Sequence, residues 1–145
     1  MILQTASEGI SFAKKLENDS ASFYESLAQR YTGDAETFLS FAKENKKFIT
    51  QIERAYYGVI TDAIEGAFAF NINTDNYTLT VTMPDRVNYA IVLEKALEIE
   101  EIIINFYNDA AEQSESLMAD VPRTFRLVVK KRGLRKPKLM ELLER

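Results

Sequence analysis

Two glutamates, Glu17 and Glu100, occupy equivalent places in an internal repeat of the chain. Residues 13–28 (AKKLENDSASFYESLA) and 96–111 (ALEIEEIIINFYNDAA) align with a constant shift of 83 positions. In each copy a tyrosine follows the glutamate after 7 positions, two helical turns later, so both side chains lie on one helix face. Apolar residues share that face, and the repeat therefore predicts two carboxylates that point into a helical core.

Carboxylates in a core need a chemical reason, because a buried charge is costly unless it is paired, protonated or bound to a cation. The alternative is that each carboxylate lies at the edge of its apolar stripe and bends out to solvent. Periodicity alone leaves the two alternatives equally open.

The composition excludes several kinds of site. The chain has 145 residues, which suits one domain over residues 1–145, and it contains neither Cys nor His. Disulfides, thiolate sites and histidine bases are therefore excluded, and a metal ion would need oxygen ligands alone. The sequence has no apolar run of membrane-spanning length and no recognisable secretory signal, so we expect a cytoplasmic protein without a membrane partner.

Two helices are predicted in the first half. A capping box at Thr5–Glu8 marks the start of the first, and Thr32–Asp34 ends it. The second follows at once and runs to about Glu65. The short turn between them predicts antiparallel neighbours.

The segment from Gly66 to Pro84 changes from helical to alternating periodicity and predicts a β-hairpin with a turn at Asn73–Asn76. This long connection can carry the chain from one end of a bundle to the other. Its apolar residues suggest packing on the bundle or on a second subunit, so we expect a homodimer. They are Phe68, Phe70, Tyr77, Leu79 and Val81.

Two further helices are predicted in the second half. The third opens at Pro84-Asp85, with Asp85 as its cap, and the fourth opens at Asp120. Gly133 interrupts the fourth, so residues 133–145 either continue it with a kink or form a separate final turn. The predicted fold is all-α, a four-helix bundle with one long crossover between the second and third helices.

The repeat resembles the rubrerythrins of the ferritin-like superfamily, over roughly Ser7 to Arg132. The pattern is A-x-x-[LI]-E-x(5)-F-Y-x(3)-A, followed in the first half by F-x-x-F-A-x-E. The resemblance implies a left-handed bundle that holds two iron ions, each half giving one Glu from its first helix and a Glu-x-x-His from its second. The first copy comprises Ala13, Leu16, Glu17, Phe23, Tyr24, Ala28, Phe38, Phe41, Ala42 and Glu44, and the second comprises Ala96, Ile99, Glu100, Phe106, Tyr107 and Ala111.

Under this resemblance Glu17, Glu44 and Glu100 match metal ligands, but the remaining ligand positions carry other residues. Both histidines and two carboxylates of the implied site are lost, and the four cysteines of a rubredoxin-type iron site are absent. The replaced positions are Lys47, Ile103, Lys131 and Leu134.

We hypothesise that lysine ammonium groups, those of Lys47 and Lys131, replace the metal ions as counter-charges to the three glutamates. One alternative is that the three glutamates still hold iron or manganese. Another is that Lys47 belongs to a solvated face, since Asn45 lies closer to the centre of the second helix's stripe.

The end of the chain is strongly basic. Residues 121–145 carry 9 Lys and Arg against 2 Asp and Glu (9 − 2 = +7), while residues 1–120 carry 9 against 20 (9 − 20 = −11). This segment could bind nucleic acid or an acidic partner, but apolar residues interleave with the bases, and we favour a last helix that packs on the core with a basic outer face. The basic residues are Arg123, Arg126, Lys130, Lys131, Arg132, Arg135, Lys136 and Lys138.

The sequence thus favours a non-catalytic structural or interaction module with a degenerate di-iron site and no cofactor. The first alternative is a residual iron- or manganese-dependent oxidoreductase or peroxidase that uses Glu17, Glu44 and Glu100. The second is a protein that binds nucleic acid or an acidic partner through residues 123–138.

Overall fold

The computed structural model describes residues 1–59, 68–116 and 120–145 and has an all-α architecture. Four main helices form the body, and the fourth is broken into two segments. Their bounds are α1 Ala6–Arg30, α2 Ala35–Val59, α3 Tyr89–Gln113, α4 Asp120–Gly133 and α5 Arg135–Leu143. Short 3₁₀ turns span Thr32–Asp34 and Thr74–Tyr77.

The start of α1 is the predicted capping box. The Thr5 hydroxyl accepts from the backbone N–H of Glu8 at 3.0 Å, and the Glu8 carboxylate accepts from the backbone N–H of Thr5 at 3.0 Å. Both bonds satisfy donors that a helix start leaves unpaired, which explains why α1 begins at Ala6.

The start of the third helix corrects one expectation. The third helix begins at Tyr89 with Asn88 as its cap, not at Asp85; the Asn88 side chain accepts from the backbone N–H of Ala90 at 2.8 Å. An amide cap three residues further on thus takes the role that the sequence assigned to Asp85. The expected extension of α2 to about Glu65 falls on residues 60–67, outside the described residues.

The hairpin predicted between Gly66 and Pro84 is not formed over residues 68–84. The strand β2 (Ile72–Asn73) instead pairs antiparallel with β1 (Ile2–Leu3) at the start of the chain. The 3₁₀ turn at Thr74–Tyr77 then takes the chain out of the strand. The N-terminal residues therefore supply the partner edge that a local hairpin would have supplied.

The apolar residues of this connection pack on the chain's own core. Phe68, Phe70 and Tyr77 are buried, and Leu79 and Val81 pack half-buried against the same core. The feature that led us to expect a homodimer is therefore accounted for within one chain.

The last helix is interrupted at the predicted place. α4 ends at Gly133, and α5 is a separate short helix rather than a continuation. Pro137 lies in the first turn of α5, where its missing N–H leaves no intrahelical bond unmade. α1 packs along α2, α3 along α4 and α5, and α2 also contacts α4, so all of them enclose one core. Among the described helices none combines the length and apolarity needed to cross a membrane.

Candidate functional site

Glu17 on α1 and Glu100 on α3 are fully buried, each at 0% exposure. The alternative in which they bend out to solvent is therefore wrong. Each sits in the apolar stripe of its helix, as the repeat predicts. The two carboxylates are the acidic half of a buried polar cluster.

The tyrosines of the repeat bond reciprocally across the core. The Tyr24 hydroxyl on α1 donates to Glu100 on α3 at 2.7 Å, and the Tyr107 hydroxyl on α3 donates to Glu17 on α1 at 2.6 Å. Each helix thus supplies the hydroxyl that the other helix's carboxylate needs. All four side chains are buried, so these bonds are made away from water.

Arg132, from the last turn of α4, lies between the two carboxylates. Its Nη2 donates to Glu17 Oε1 at 2.5 Å, and its Nη1 donates to Glu100 Oε2 at 2.7 Å. Its Nε also reaches the second Glu17 oxygen at 3.3 Å. One guanidinium therefore bridges both glutamates with the forked geometry that favours arginine over lysine.

Arg135, at the start of α5, extends the cluster towards α2. Its Nη1 donates to Glu100 at 3.0 Å, and its Nη2 donates to Glu44 at 3.0 Å and to the Phe41 carbonyl at 3.0 Å. The side chain of Glu44 is 37% exposed, so the third carboxylate lies at the rim of the cluster rather than inside it.

Asn45 completes the network on α2. Its Oδ1 accepts from Arg135 Nη2 at 2.5 Å and from Arg132 Nη2 at 3.3 Å, and its Nδ2 donates to the Ser20 hydroxyl at 2.9 Å. Among the described residues the buried side-chain oxygen or nitrogen without a partner is Oε1 of Gln51, which is not part of the cluster. The cluster is therefore fully hydrogen-bonded, as a buried polar network must be.

The electrostatics fix the protonation states. Burial by itself raises the pKa of Glu100, but the charges of Arg132 and Arg135 outweigh burial and hold that pKa below its ordinary value. Burial lowers and the two glutamates raise the pKa of Arg132, which ends above its usual range. Burial and the adjacent carboxylates raise the pKa values of Tyr24 and Tyr107. Glu100 is thus ionised, and both hydroxyls stay protonated as donors.

Aromatic rings line the arginines. The Arg135 guanidinium carbon lies 4.9 Å from the ring centre of Phe41 and 5.6 Å from those of Tyr24 and Phe48. Arg132 lies 5.6 Å from the ring centre of Phe48. Ring faces partly replace the hydration that burial removes from these cations.

The lysine hypothesis is corrected by this geometry. Lys47 is exposed and Lys131 is half-buried, and neither forms an ion pair with the glutamates within the described ranges. The counter-charges are arginines, one position further along the helix than Lys131 and Leu134. Leu134 is 62% exposed and Ile103 is buried in the apolar core.

The internal repeat could have identified Arg132 and Arg135 as the inward-facing residues. The second helices of the two halves are related by a shift of 87 positions, which pairs Asn45 with Arg132 and Phe48 with Arg135. All four are buried. The predicted ligand positions were aligned on Glu44, whereas Asn45 lies at the centre of the buried stripe. The predicted positions Lys131 and Leu134 are therefore one residue before the buried arginines.

In the described ranges, acidic residues of the same chain pair with five of the eight bases in the basic segment. Arg132 and Arg135 are buried, and three other members form ion pairs on the surface: Arg123 with Asp120, Arg126 with Glu115 and Lys136 with Glu101. This agrees with the interpretation of a core-packing last helix.

The residues of the cluster do not fit a metal ion. No group of three or more Asp, Glu, His or Cys residues is placed to hold one in the described parts of the chain. The guanidinium of Arg132 occupies the space between Glu17 and Glu100, where a bridging cation would have to lie. A cation could enter only by displacing an arginine that is already ion-paired.

Comparison with protein-family models, curated proteins and solved structures gave no match for this chain. The resemblance to rubrerythrins therefore rests on the sequence motifs alone.

Proposed function

We propose that this protein is a ferritin-like, rubrerythrin-related left-handed bundle that works without a metal centre, as a non-catalytic structural or binding module. The observation that carries the proposal is the Arg132 guanidinium, which bonds Glu17 and Glu100 at once. In the metal-containing relatives, cations neutralise the inward carboxylates. Here a covalently attached cation does so.

The charge balance supports this proposal. Two fully buried carboxylates, Glu17 and Glu100, face two buried guanidiniums, Arg132 and Arg135 (2 − 2 = 0). Adding a divalent ion would leave the buried site with uncompensated positive charge, which a low-dielectric core disfavours strongly.

The repeat supports the finer description of the fold. The reciprocal bonds between Tyr24 and Glu100 and between Tyr107 and Glu17 relate α1 and α3 by approximate twofold symmetry. Two related helical hairpins joined by a long connection are the arrangement of the ferritin-like bundle.

The oxidoreductase alternative, with iron or manganese at Glu17, Glu44 and Glu100, has weaker support. The carboxylate oxygens of Glu17 and Glu100 already accept hydrogen bonds from arginine and tyrosine donors, and Glu44 lies at the rim of the cluster. A redox metal also needs an open coordination position for its substrate, and the bridging guanidinium leaves no such opening.

Metal titration tests the proposal. The purified protein, stripped with a chelator and titrated with Fe²⁺ and Mn²⁺, should bind neither tightly and should not oxidise Fe²⁺ in air. Elemental analysis measures the stoichiometry, and two iron ions bound tightly per chain would refute the proposal.

A variant that lacks the Arg132 guanidinium tests the same proposal in the opposite direction, by asking whether an added cation can replace it. Arg132→Ala leaves Glu17 and Glu100 short of counter-charge, so added Mn²⁺ or guanidinium ion should raise its melting temperature, whereas neither should raise that of the wild type. Lys46→Ala, which breaks an exposed pair with Glu25, serves as the control. Equal responses of Arg132→Ala and Lys46→Ala would contradict the counter-charge role.

A further inference from the structure

A cleft of about 390 Å³ opens on the surface above the buried cluster, between α2 and the α4–α5 junction. Four lysines line it: Lys43, Lys47, Lys131 and Lys138. Arg135 lies at its floor, where the cleft meets the buried network.

The lysines come from both walls in helical register. Lys43 and Lys47 are one turn apart on α2 and face the same way. Lys131, near the end of α4, and Lys138, in α5, line the opposite wall. The walls of the cleft therefore present ammonium groups to a common space.

In the described residues these lysines are not held in ion pairs, although the carboxylate of Glu44, which pairs with Arg135, also lines the cleft. Lys14, Lys15, Lys46 and Lys136 each form an ion pair with an acidic residue. Within the described ranges, none of the four cleft lysines does. Like charges one turn apart on a helix repel, so Lys43 and Lys47 in particular favour an external anion.

The cluster beneath the cleft does not cancel this charge. Its three glutamates and two arginines sum to −1 (2 − 3), and the four lysines bring the total to +3 (4 − 1). The Arg135 guanidinium already donates to Glu44, Glu100, Asn45 and the Phe41 carbonyl. It therefore contributes its positive charge to the electrostatic potential of the cleft rather than free hydrogen bonds to a ligand.

We infer that this cleft binds a small anion carrying two or more phosphate groups. Ammonium groups are strong point-charge partners for phosphate oxygens, and several of them around one concave space match a multiply charged anion. The volume lies within the range of small-molecule sites. Phosphate-rich anions would then be the ligand class of the non-catalytic binding module proposed above, and this assignment rests on that proposed function.

The surroundings favour a small anion over a nucleic acid duplex. A duplex is bound by an extended basic surface, but three other bases of the C-terminal basic segment, Arg123, Arg126 and Lys136, are already paired with acids. Four lysines that form no ion pair among the described residues are instead gathered around one concavity. Phe41, Phe48 and Leu134 add apolar wall that an organic portion of the ligand can contact.

Isothermal titration calorimetry with tripolyphosphate tests the inference on metal-free protein. The wild type should bind one tripolyphosphate per chain, with affinity that falls as salt rises. Lys43→Gln/Lys47→Gln and Lys131→Gln/Lys138→Gln should each weaken binding about tenfold or more, because each removes two charge-assisted contacts. Lys46→Gln, on α2 outside the cleft, should bind like the wild type.

The ligand series separates the sources of phosphate. Binding of ATP at least as tight as that of tripolyphosphate, with adenosine inactive, would identify a nucleotide; tighter binding of tripolyphosphate would identify an inorganic polyphosphate. Absence of saturable binding to the wild type, equal loss in Lys46→Gln, or tighter binding of a DNA duplex that the cleft variants also lose would overturn the inference. Metal content is measured separately, so two bound irons would refute the proposed function without bearing on the cleft.

Discussion

The guanidinium of Arg132 donates to both carboxylate oxygens of Glu17, although the two residues lie 115 positions apart in the chain. Both side chains are fully buried. The bond joins the first helix to the end of the fourth through the middle of the core. It also links the charge balance of the site to the stability of the whole bundle.

Arg132→Met should destabilise the protein by about 3–5 kcal/mol, because it leaves two buried carboxylates without their shared partner. Urea unfolding measures the change. The double variant Glu17→Gln/Arg132→Met should recover part of the loss, since one of the orphaned charges is then absent. A loss below about 1 kcal/mol, the range of exposed pairs such as Lys46 with Glu25, would contradict the structural role of Arg132.

Tyr24→Phe and Tyr107→Phe should destabilise the protein by similar amounts, about 1.5–3 kcal/mol each. Each removes one hydroxyl donor from a buried carboxylate, at 2.7 Å from Glu100 or 2.6 Å from Glu17. Thermal unfolding of the two variants measures the costs side by side. Tyr57→Phe, on an exposed ring, is the control, and a large difference between the two core variants would argue against the approximate symmetry.

Stability should fall in acid through Glu100. Its pKa is lower in the folded protein than the ordinary 4.5, so the folded state binds its proton less readily than the unfolded state. The stabilisation is complete above pH 4.5 and disappears as the pH falls through the folded pKa. Glu100→Gln should flatten this acid limb in denaturation at several pH values, whereas Glu25→Gln, at an exposed site, should retain it.

Gly9→Ala should destabilise the protein because a methyl group at this position of α1 would meet the ring of Phe70. A Cβ there would lie 2.5 Å from Phe70 Cε2 and 2.9 Å from Cδ2, so the buried ring would have to shift. We expect a cost of about 1–3 kcal/mol by overpacking. Gly58→Ala in α2, where a Cβ meets nothing within 4 Å, should be neutral or stabilising by up to about 1 kcal/mol. Equal behaviour of the two variants in urea unfolding would contradict the close contact.

The acidic half of the site could be predicted from the sequence because it is repeated. Glu17 and Glu100 stand out against their apolar stripes, and each carries a tyrosine two turns later. The basic half is not repeated. Arginine is ordinarily a surface residue, so local pattern placed Arg132 and Arg135 in an outward-facing basic segment. Their burial depends on carboxylates that are distant in the sequence, and no local rule contains that information.

The difference between local and long-range information also explains which parts of the fold could be predicted from the sequence. The helices and the break at Gly133 follow from periodicity, capping and helix-breaking residues, which are local. The pairing of Ile72–Asn73 with Ile2–Leu3 joins segments about seventy residues apart, and its alternation is equally compatible with a local hairpin. The helix start at Asn88 was missed because Asp85 offers the same cap chemistry one turn earlier.

The asymmetry of the arginines has a consequence for how such a core can be assembled. A homodimer of one helical hairpin must carry identical side chains on both sides of its axis. With Asn45 and Phe48 in both copies its acids would go unbalanced, and with arginine at both it would have to fit four guanidiniums into space for two. Joining two unlike hairpins in one polypeptide lets one side contribute the bases while both contribute the acids. A fused chain can therefore place both arginines on one side of the axis, an arrangement that a symmetric pair of identical hairpins cannot adopt.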